Sequence, residues 1–238
     1  MPKFTDIHSH IVPSGDDGVS SEAEGLELIK LAAERGTSVL YATPHVWPID
    51  GLKKGREESI KIAYERMRPQ ALKLKVDLRL GFEVTPAPAR YDEDPFRYRL
   101  GDLNAVLIEV PFRGPLDLSL KYAEFVEGMG LLPILAHPER SDAILNNPSD
   151  IAVFQERGWL IQINSSSLLG KHGRAEKNLA WKLVQKGFAN LVASDGHRAL
   201  RPPYLDGVYQ ALVREIGPSG ESLVDGSALK RISQAEII

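Results

Sequence analysis

The chain has 238 residues, 43% of them apolar and 26% charged, and a formal net charge of −3. Such a composition can bury a substantial core, and the lack of a basic field argues against a nucleic-acid partner. Cysteine is absent, which excludes disulfides, thiolate metal sites and thiol nucleophiles. No apolar run approaches the roughly 20 residues that span a bilayer, and the opening MPKFTDIHSH lacks the apolar stretch of a signal peptide. Membrane insertion is therefore not expected, and a cytoplasmic location is.

The predicted elements alternate from the start. A strand over FTDIH (4–8) precedes an amphipathic helix over 21–36 that ends at Gly36, a suitable C-cap. Strand SVLYAT (38–43), helix 56–74 and strand VDLRLGFEV (76–84) follow, then strand AVLIEV (105–110) and helix 117–129. Strand LPILAH (132–137), helix 149–157, strand LIQIN (160–164), helix 175–186, strand NLVAS (190–194) and helix 205–216 complete the series. Seven strands, each followed by helix or loop, argue for a βα-repeating α/β fold with parallel strands. No linker, repeat or low-complexity tract divides the chain, which reads as one domain over 1–238.

The strand ends carry the chemistry. His8 and His10 alternate on the first strand, so both rings share one side of an extended chain. The second strand leads to His45 in ATPH, the third to Glu83 in GFE, and the fourth to Glu109 in IEVP. The fifth gives His137 and Arg140 in AHPER, the sixth Asn164, and the seventh Asp195 and His197 in ASDGH. In a parallel βα barrel those ends converge on one face, where active sites lie. With Asp17, there are nine candidate ligands, more than a single ion uses. Two or three metals sharing a carboxylate would use them. Asp17 is the weakest, because DDG is also a turn signal. Charged Glu139 and Arg140 argue against His137 lying in a closed core.

DIHSH…DDG, ATPH, GFE, IEVP, AHPER, QINSSS and ASDGH…RPPY, spread over residues 4 to about 210, resemble the PHP (polymerase and histidinol phosphatase) superfamily. The resemblance is nearest to its branch of bacterial protein-tyrosine phosphatases from capsule and exopolysaccharide operons. It implies a distorted seven-stranded (β/α)7 TIM-like barrel, the PHP fold, with a trinuclear centre most often loaded with manganese; iron, zinc or magnesium also suit imidazole and carboxylate donors. Carried over, His8, His10, Glu83 and Asp195 would hold one ion. Glu83, Glu109 and His137 would hold a second, and Asp17, His45 and His197 the third. Arg140 and Arg201 would bind phosphate; Arg201 could otherwise pair with Asp206. His137 or His197 could help protonate the leaving oxygen.

The implied substrate is a phosphotyrosine-bearing protein, the tyrosine-rich tail of a bacterial tyrosine kinase that controls polysaccharide export. Alternatives are a histidinol phosphatase or other small-molecule phosphomonoesterase, a non-enzymatic PHP scaffold, and an amidohydrolase, whose usual fourth-strand lysine is replaced here by Glu109. Trp47, Phe112 and Tyr204 are expected in loops near the site. Segment 46–58 is expected to vary with substrate. Gly196, where relatives carry a bulkier residue, is expected to widen the pocket, and His172 is expected on a solvent-exposed loop.

Overall fold

Apolar runs and amphipathic segments fold as alternating parallel strands and helices. The computed structural model describes residues 3–49 and 51–234. Asp50, within the 46–58 segment, and both ends of the expected 1–238 domain lie outside the described residues. In chain order come β1 (Phe4–Asp6), α1 (Glu22–Glu34), β2 (Thr37–Ala42), β3 (His45–Val46), α2 (Lys54–Lys73), β4 (Asp77–Leu80) and β5 (Glu83–Val84). Then follow β6 (Ala105–Glu109), α3 (Asp117–Gly128), β7 (Leu132–Ala136), α4 (Asp142–Asn146), α5 (Ala152–Glu156), β8 (Leu160–Asn164) and α6 (Ser165–Leu168). Last are α7 (Arg174–Gln185), β9 (Leu191–Ala193), α8 (Asp206–Ile216) and α9 (Ser227–Gln234). Among the described residues the strands form two parallel sheets, β1-β2-β4 and β3-β5-β6-β7-β8-β9. No helix among the described residues is long and apolar enough to cross a membrane.

The expected strands over 38–43 and 76–84 differ in detail. The first stops at Ala42 and resumes as β3; the second breaks at Gly81 into β4 and β5. Pro44 has no N–H to give a ladder, and the Thr43 N–H goes to the Ser9 carbonyl at 2.7 Å. At Gly81 the chain of residues 99–101 presses in, so that a Cβ would meet Leu100 at 2.6 Å.

Both faces of the strands are buried, which is why their sequences read as continuous apolar runs. Val106, Ile108, Leu135 and Val192 pack into the larger core under the helices. The alternating residues Ala105, Leu107, Ile134, Ala136, Leu191 and Ala193 form a second, inner cluster with Ile7 and Tyr41. The inner positions turn polar toward the C-terminal ends: Ala105-Leu107-Glu109, Leu160-Gln162-Asn164 and Leu191-Ala193-Asp195. The period of 2 thus carries the inner face directly into the site.

The helices cover the outer face. Ser21 caps α1 by accepting the Glu24 N–H at 3.2 Å, and Glu24 reaches back to the Ser20 N–H at 2.8 Å, a reciprocal arrangement close to a capping box. α1 sits tight on the first loop: a Cβ on Gly25 would lie 2.2 Å from the Ile11 carbonyl oxygen.

A candidate metal centre at the strand ends

Beyond β1 the chain stays extended and lies against the segment after β9. The Asp195 N–H donates to the His8 carbonyl at 2.9 Å and the His10 N–H to the Gly196 carbonyl at 2.6 Å. A Cβ on Gly196 would meet Pro203 at 2.7 Å. Gly196 therefore permits this close approach, and the expectation that it widens the pocket is corrected. Asp6, fully buried, accepts the Ser194 N–H at 3.0 Å. Burial pushes its carboxyl up to about 6.

His8, His10, Glu83, His137, Asp195 and His197 are buried together. Second partners fix their tautomers. Asp195 Oδ2 accepts from Asn164 Nδ2 at 2.8 Å, Asn164 Oδ1 accepts from Gln162 Nε2 at 2.8 Å, and Gln162 Oε1 meets His8 Nδ1 at 2.9 Å. A carboxylate can only accept, so each amide is oriented in turn and His8 carries its proton on Nδ1. The Asp195 carbonyl does the same for His197 at 2.9 Å, and Asp16 for His10 at 3.4 Å. Three imidazoles thereby turn their Nε2 atoms to one space, the arrangement that metal-bound histidines take from their surroundings.

Glu83 is the hub. Its Oε2 lies 3.0 Å from His45 Nδ1, 3.2 Å from His8 Nε2 and 3.4 Å from His10 Nε2. It makes no aligned hydrogen bond with any of them. The two Nε2 atoms of His8 and His10 face each other at 3.2 Å. Buried polar atoms without aligned partners are costly, and a shared cation satisfies this set. The donor set therefore fits metal ions. Four groups bring their ligand atoms within 4.8 Å of one another: His10, Asp17, His45 and His197; His8, Glu83 and His137; His8, His10 and Asp195; and His45, Glu83 and Glu109.

The electrostatics are those of densely packed acids and imidazoles. Burial disfavours charge on His8, but Glu83 and Asp195 outweigh it and raise the ring to about 9. His45 is raised to about 10, burial again being outweighed, chiefly by Glu83. The two glutamates diverge. Burial is overcome at Glu83 by His8 and His45, which hold it well below the ordinary range, whereas burial and the charge of Glu83 raise Glu109.

Two residues at the centre are held in the left-handed region: His137 at φ 38° and Asp195 at φ 50°. Such backbone costs about 1–3 kcal/mol and clusters at functional sites. His137 is out of phase with the inner positions of β7, and its unusual backbone accompanies a ring whose Nε2 lies 2.9 Å from Glu83 Oε1.

The centre floors a cavity of about 490 Å³ that Trp47, Phe112, Arg140 and Arg201 also line. Arg140 Nη1 and Arg201 Nη1 lie 3.4 and 3.8 Å from Asp195 Oδ2, and the Arg140 guanidinium stacks 4.1 Å over Phe112. Asp206 takes Arg35 at 2.9 Å, so the alternative pairing of Arg201 with Asp206 does not form. Tyr204 stacks under Arg35 at 4.3 Å and does not line the cavity.

Four further expectations or omissions are settled by burial. Glu139 is wholly buried, accepting from the Asn164 N–H at 3.0 Å and Ser167 Oγ at 2.6 Å, while His137 lines the open cavity rather than a closed core. His172 is half-buried with Nδ1 2.9 Å from Ser167 Oγ, not free on an exposed loop. Of the Asp-Asp pair, Asp17 reaches His197 Nε2 at 3.2 Å from a mostly exposed position. Asp16, which the sequence reading passed over, is the one that supports His10 and the His45 N–H. Gln162 was also missed, although its place on an inner-face triplet between Leu160 and Asn164 marked it.

A parallel α/β scaffold carrying clustered imidazoles, carboxylates and two arginines at its strand ends belongs to the class of metal-binding α/β proteins. The family model for capsular polysaccharide synthesis, CpsB/CapC, matches residues 4–224, and the chain belongs to that family. It is 32% identical over 201 residues to the tyrosine-protein phosphatase YwqE of Bacillus subtilis, covering 81% of this chain and 76% of that protein. It is 27% identical over 231 residues to the tyrosine-protein phosphatase CpsB of Streptococcus pneumoniae, covering 89% and 90% of the two chains. A crystal structure described as one of YwqE and CpsB, "unique metal-dependent tyrosine phosphatases", superposes with a TM-score of 0.85 at 26% identity, covering 98% of this chain and 96% of that one. An inactive dihydroorotase-like domain from Chaetomium thermophilum shares the fold alone, with a TM-score of 0.62 at 10% identity over 100% of this chain and 80% of that one.

Proposed function

We propose that this chain is a metal-dependent protein-tyrosine phosphatase. Its substrate in this reading is the tyrosine-rich tail of a bacterial tyrosine kinase that governs polysaccharide synthesis and export. The carrying observation is one cavity that combines the Glu83-centred cluster, two arginines converging on Asp195, and the exposed rings of Trp47 and Phe112. The relatives named tyrosine phosphatases support the substrate class. A cytoplasmic location belongs to the same reading, since tyrosine phosphorylation draws on ATP.

Three ions would use the donors economically. His8, His10 and Asp195 with Glu83 would hold one; Glu83, Glu109 and His137 a second; Asp17, His45 and His197 the third. The first and third sets each draw on one group whose ligand atoms already lie close, and the second joins two groups that share Glu83. Manganese suits imidazole and carboxylate donors with no thiolate, as do iron, zinc and magnesium. Bound ions supply Lewis-acid charge for phosphoryl oxygens and acidify water. Arg140 and Arg201 present planar forks to the phosphoryl group, with Asp195 aligning both. Burial holds the His197 ring below its ordinary range against its bond to Asp17, which leaves it neutral, without a second proton to give. A tyrosine phenolate, of pKa about 10, leaves with little acid assistance.

The scaffold reads as a single-domain barrel of seven strands when β2 with β3, and β4 with β5, are each counted as one interrupted strand. The backbone bonds of His8 and His10 to Asp195 and Gly196 would then close it. The test is turnover by metal-stripped enzyme with manganese added back. A tyrosine phosphopeptide should exceed phosphoserine peptide and histidinol phosphate in kcat/KM by at least roughly tenfold, about 1.4 kcal/mol. Preference for histidinol phosphate would make this a small-molecule phosphatase. No turnover with metals bound would make it a scaffold.

A further inference from the structure

β3 is the end strand of its sheet. The Pro44 and Val46 carbonyls take the Glu83 and Thr85 N–H groups at 3.2 and 3.1 Å, so alternation turns the N–H and carbonyl of His45 to the open edge. Edge groups need partners where no neighbouring strand supplies them. Here two side chains do. Asp16 Oδ2 accepts the His45 N–H at 3.1 Å, and Arg56 Nη1 donates to the His45 carbonyl at 2.7 Å.

Arg56 stands in the first turn of α2, and its guanidinium also reaches the loop after β1. Nε donates to the Ser14 carbonyl at 2.8 Å, and Nη2 meets Ser14 Oγ at 3.5 Å. Ser14 Oγ accepts the Asp16 N–H at 3.3 Å, and Asp16 Oδ1 the Gly18 N–H at 3.0 Å. One planar fork thus joins β3 to the turn that carries Asp17. The far end of that turn is tied to the segment after β9: Arg198, next to His197, donates Nε to the Gly18 carbonyl at 2.7 Å. Asp17 depends on such ties, because no strand positions it and its side chain is 64% exposed, against 13% for His45 and 6% for His197. Its Oδ1 nevertheless lies 3.6 Å from His45 Nε2 and 3.2 Å from His197 Nε2. These arginine bonds go to backbone carbonyls and a hydroxyl, which leaves the Asp17 carboxylate to the imidazoles and a cation.

We infer that Arg56 is a positioning residue for the ligand set Asp17, His45 and His197: it clamps the Asp17 turn against β3 and so sets how tightly this set holds an ion. Lysine, a point charge, cannot span both carbonyls as the fork does. The same guanidinium lies 5.6 Å from the Trp47 ring, so the clamp continues into the cavity wall. The identity of the ion rests on the proposed metal centre and the kinetic consequence on the phosphatase reading; the clamp itself rests on neither.

The deciding variant is Arg56→Met, which keeps an apolar stem and removes the donors. In calorimetric titration of the metal-stripped protein with manganese, one equivalent should weaken roughly tenfold, about 1.4 kcal/mol, while the others stay within about twofold. Asp17→Asn should weaken the same equivalent, and in that background Arg56→Met should add less than about twofold, because the ligand it positions is already gone. Arg56→Lys should fall between the parent and Arg56→Met. Turnover of a phosphotyrosine peptide by Arg56→Met should drop at limiting manganese and return to within about threefold of the parent at saturating manganese, a rescue that a general fold defect does not give. In the metal-free protein, amide hydrogen exchange of residues 14–18 and 45–46 should quicken roughly tenfold, with α7 unchanged. Parent-like manganese binding in Arg56→Met, a loss spread evenly over all equivalents, or an undiminished loss in the Asp17→Asn background would overturn the inference and leave Arg56 an anchor of α2. If the parent binds manganese but turns over no phosphotyrosine peptide, the phosphatase reading falls while the binding still decides the role of Arg56. If the parent takes up no manganese, the metal reading falls as well, and exchange alone decides: parent-like rates at 14–18 and 45–46 would overturn the clamp.

Discussion

Inner-face positions read Glu109, Asn164 and Asp195 at the C-terminal ends of β6, β8 and the β9 segment; at the N-terminal ends of the same strands they read Ala105, Leu160 and Leu191. Each end opens on a cavity. The N-terminal one is larger, about 600 Å³ against about 490 Å³, yet Leu132, Trp159, Leu160, Ala228 and Ile232 line it with neutral amides and hydroxyls and, among the described residues, no charged side chain. Backbone conformation divides the same way but for Lys75, which takes φ 65° before β4. Before β2, β7 and β8, and in the turn leading to β9, the positive-φ positions are Gly36, Gly130, Gly158 and Gly187, where the conformation costs little. At the other end His137 and Asp195 adopt it at a cost. Cavity size does not mark the working end. Desolvated charge does.

The largest effect should come from breaking the charged end at its hub. Glu83→Gln removes the carboxylate that lies within 3.4 Å of four imidazoles. Metal content by elemental analysis should fall, and turnover should drop on the order of a thousandfold, the scale of lost metal charge stabilisation. Thorough chelation of the parent should do the same. Arg201→Lys comes next. Lysine keeps the charge and loses the fork, so kcat/KM should fall roughly ten- to a hundredfold, the equivalent of one charge-assisted contact of about 1.5–3 kcal/mol. Metal content should stay unchanged; a parent-like rate would make Arg201 structural.

Much of the working end was legible in the sequence because strand period and polarity place every second residue on one face and carry successive strand ends to one side. Glu109, Asn164 and Asp195 follow from that rule alone; it puts His8 and His10 on one side of the chain, but out of phase with the inner Ile7. What was not legible arises where the rule is broken or where partners come from afar. His137 is out of phase with β7, and only its left-handed backbone shows how it reaches Glu83. Asp16 and Asp17 look alike in a turn sequence; the His10 and His45 contacts that distinguish them depend on how the turn docks. The buried Glu139 reads as surface until the Asn164 N–H and Ser167 are brought to it. Seven apolar runs conveyed the parallel architecture, but not the interruptions at Pro44, which has no N–H for the ladder, and at Gly81, where residues 99–101 press in from outside the strand.

The aromatic wall offers a smaller test. Trp47 and Phe112 are 38% and 40% exposed at the mouth, and their faces suit the ring of phosphotyrosine. Trp47→Ala should reduce the preference for phosphotyrosine over phosphoserine peptide by roughly tenfold or less, about 0.5–1.5 kcal/mol of aromatic contact. Phe112→Ala should do this and also weaken phosphate binding, because it removes the ring beneath Arg140. Equal selectivity in both variants would remove the aromatic wall from the substrate site.

A still smaller effect belongs to pH. His172 meets Ser167 Oγ at 2.9 Å through Nδ1, and burial, then the positive charge of Arg140, push its folded pKa down to about 4. The unfolded imidazole takes its proton at about 6.5. Its contribution to stability is therefore present above about 6.5 and lost as pH falls through about 4, since the unfolded state binds the proton first. His172→Gln cannot titrate. The fall in Tm between pH 6.5 and 4 should be smaller in this variant than in the parent, by a few degrees. An identical fall in both would show that His172 titrates normally in the folded chain.

The smallest expected change is at the uncharged end. Trp159 is 2% exposed, lines the larger cavity, and its indole N–H has no hydrogen-bond partner among the described residues. Trp159→Phe removes that unpaired donor, whose burial costs about 1–3 kcal/mol. It also removes packing against Phe154, whose ring lies 6.2 Å away, at a similar cost for a truncated core aromatic. The two terms oppose each other. Stability should change by less than about 1 kcal/mol by denaturant titration, and kcat/KM on phosphotyrosine peptide should stay within about twofold. A large loss of activity with stability intact would couple the two ends of the inner face and undo the division drawn between them.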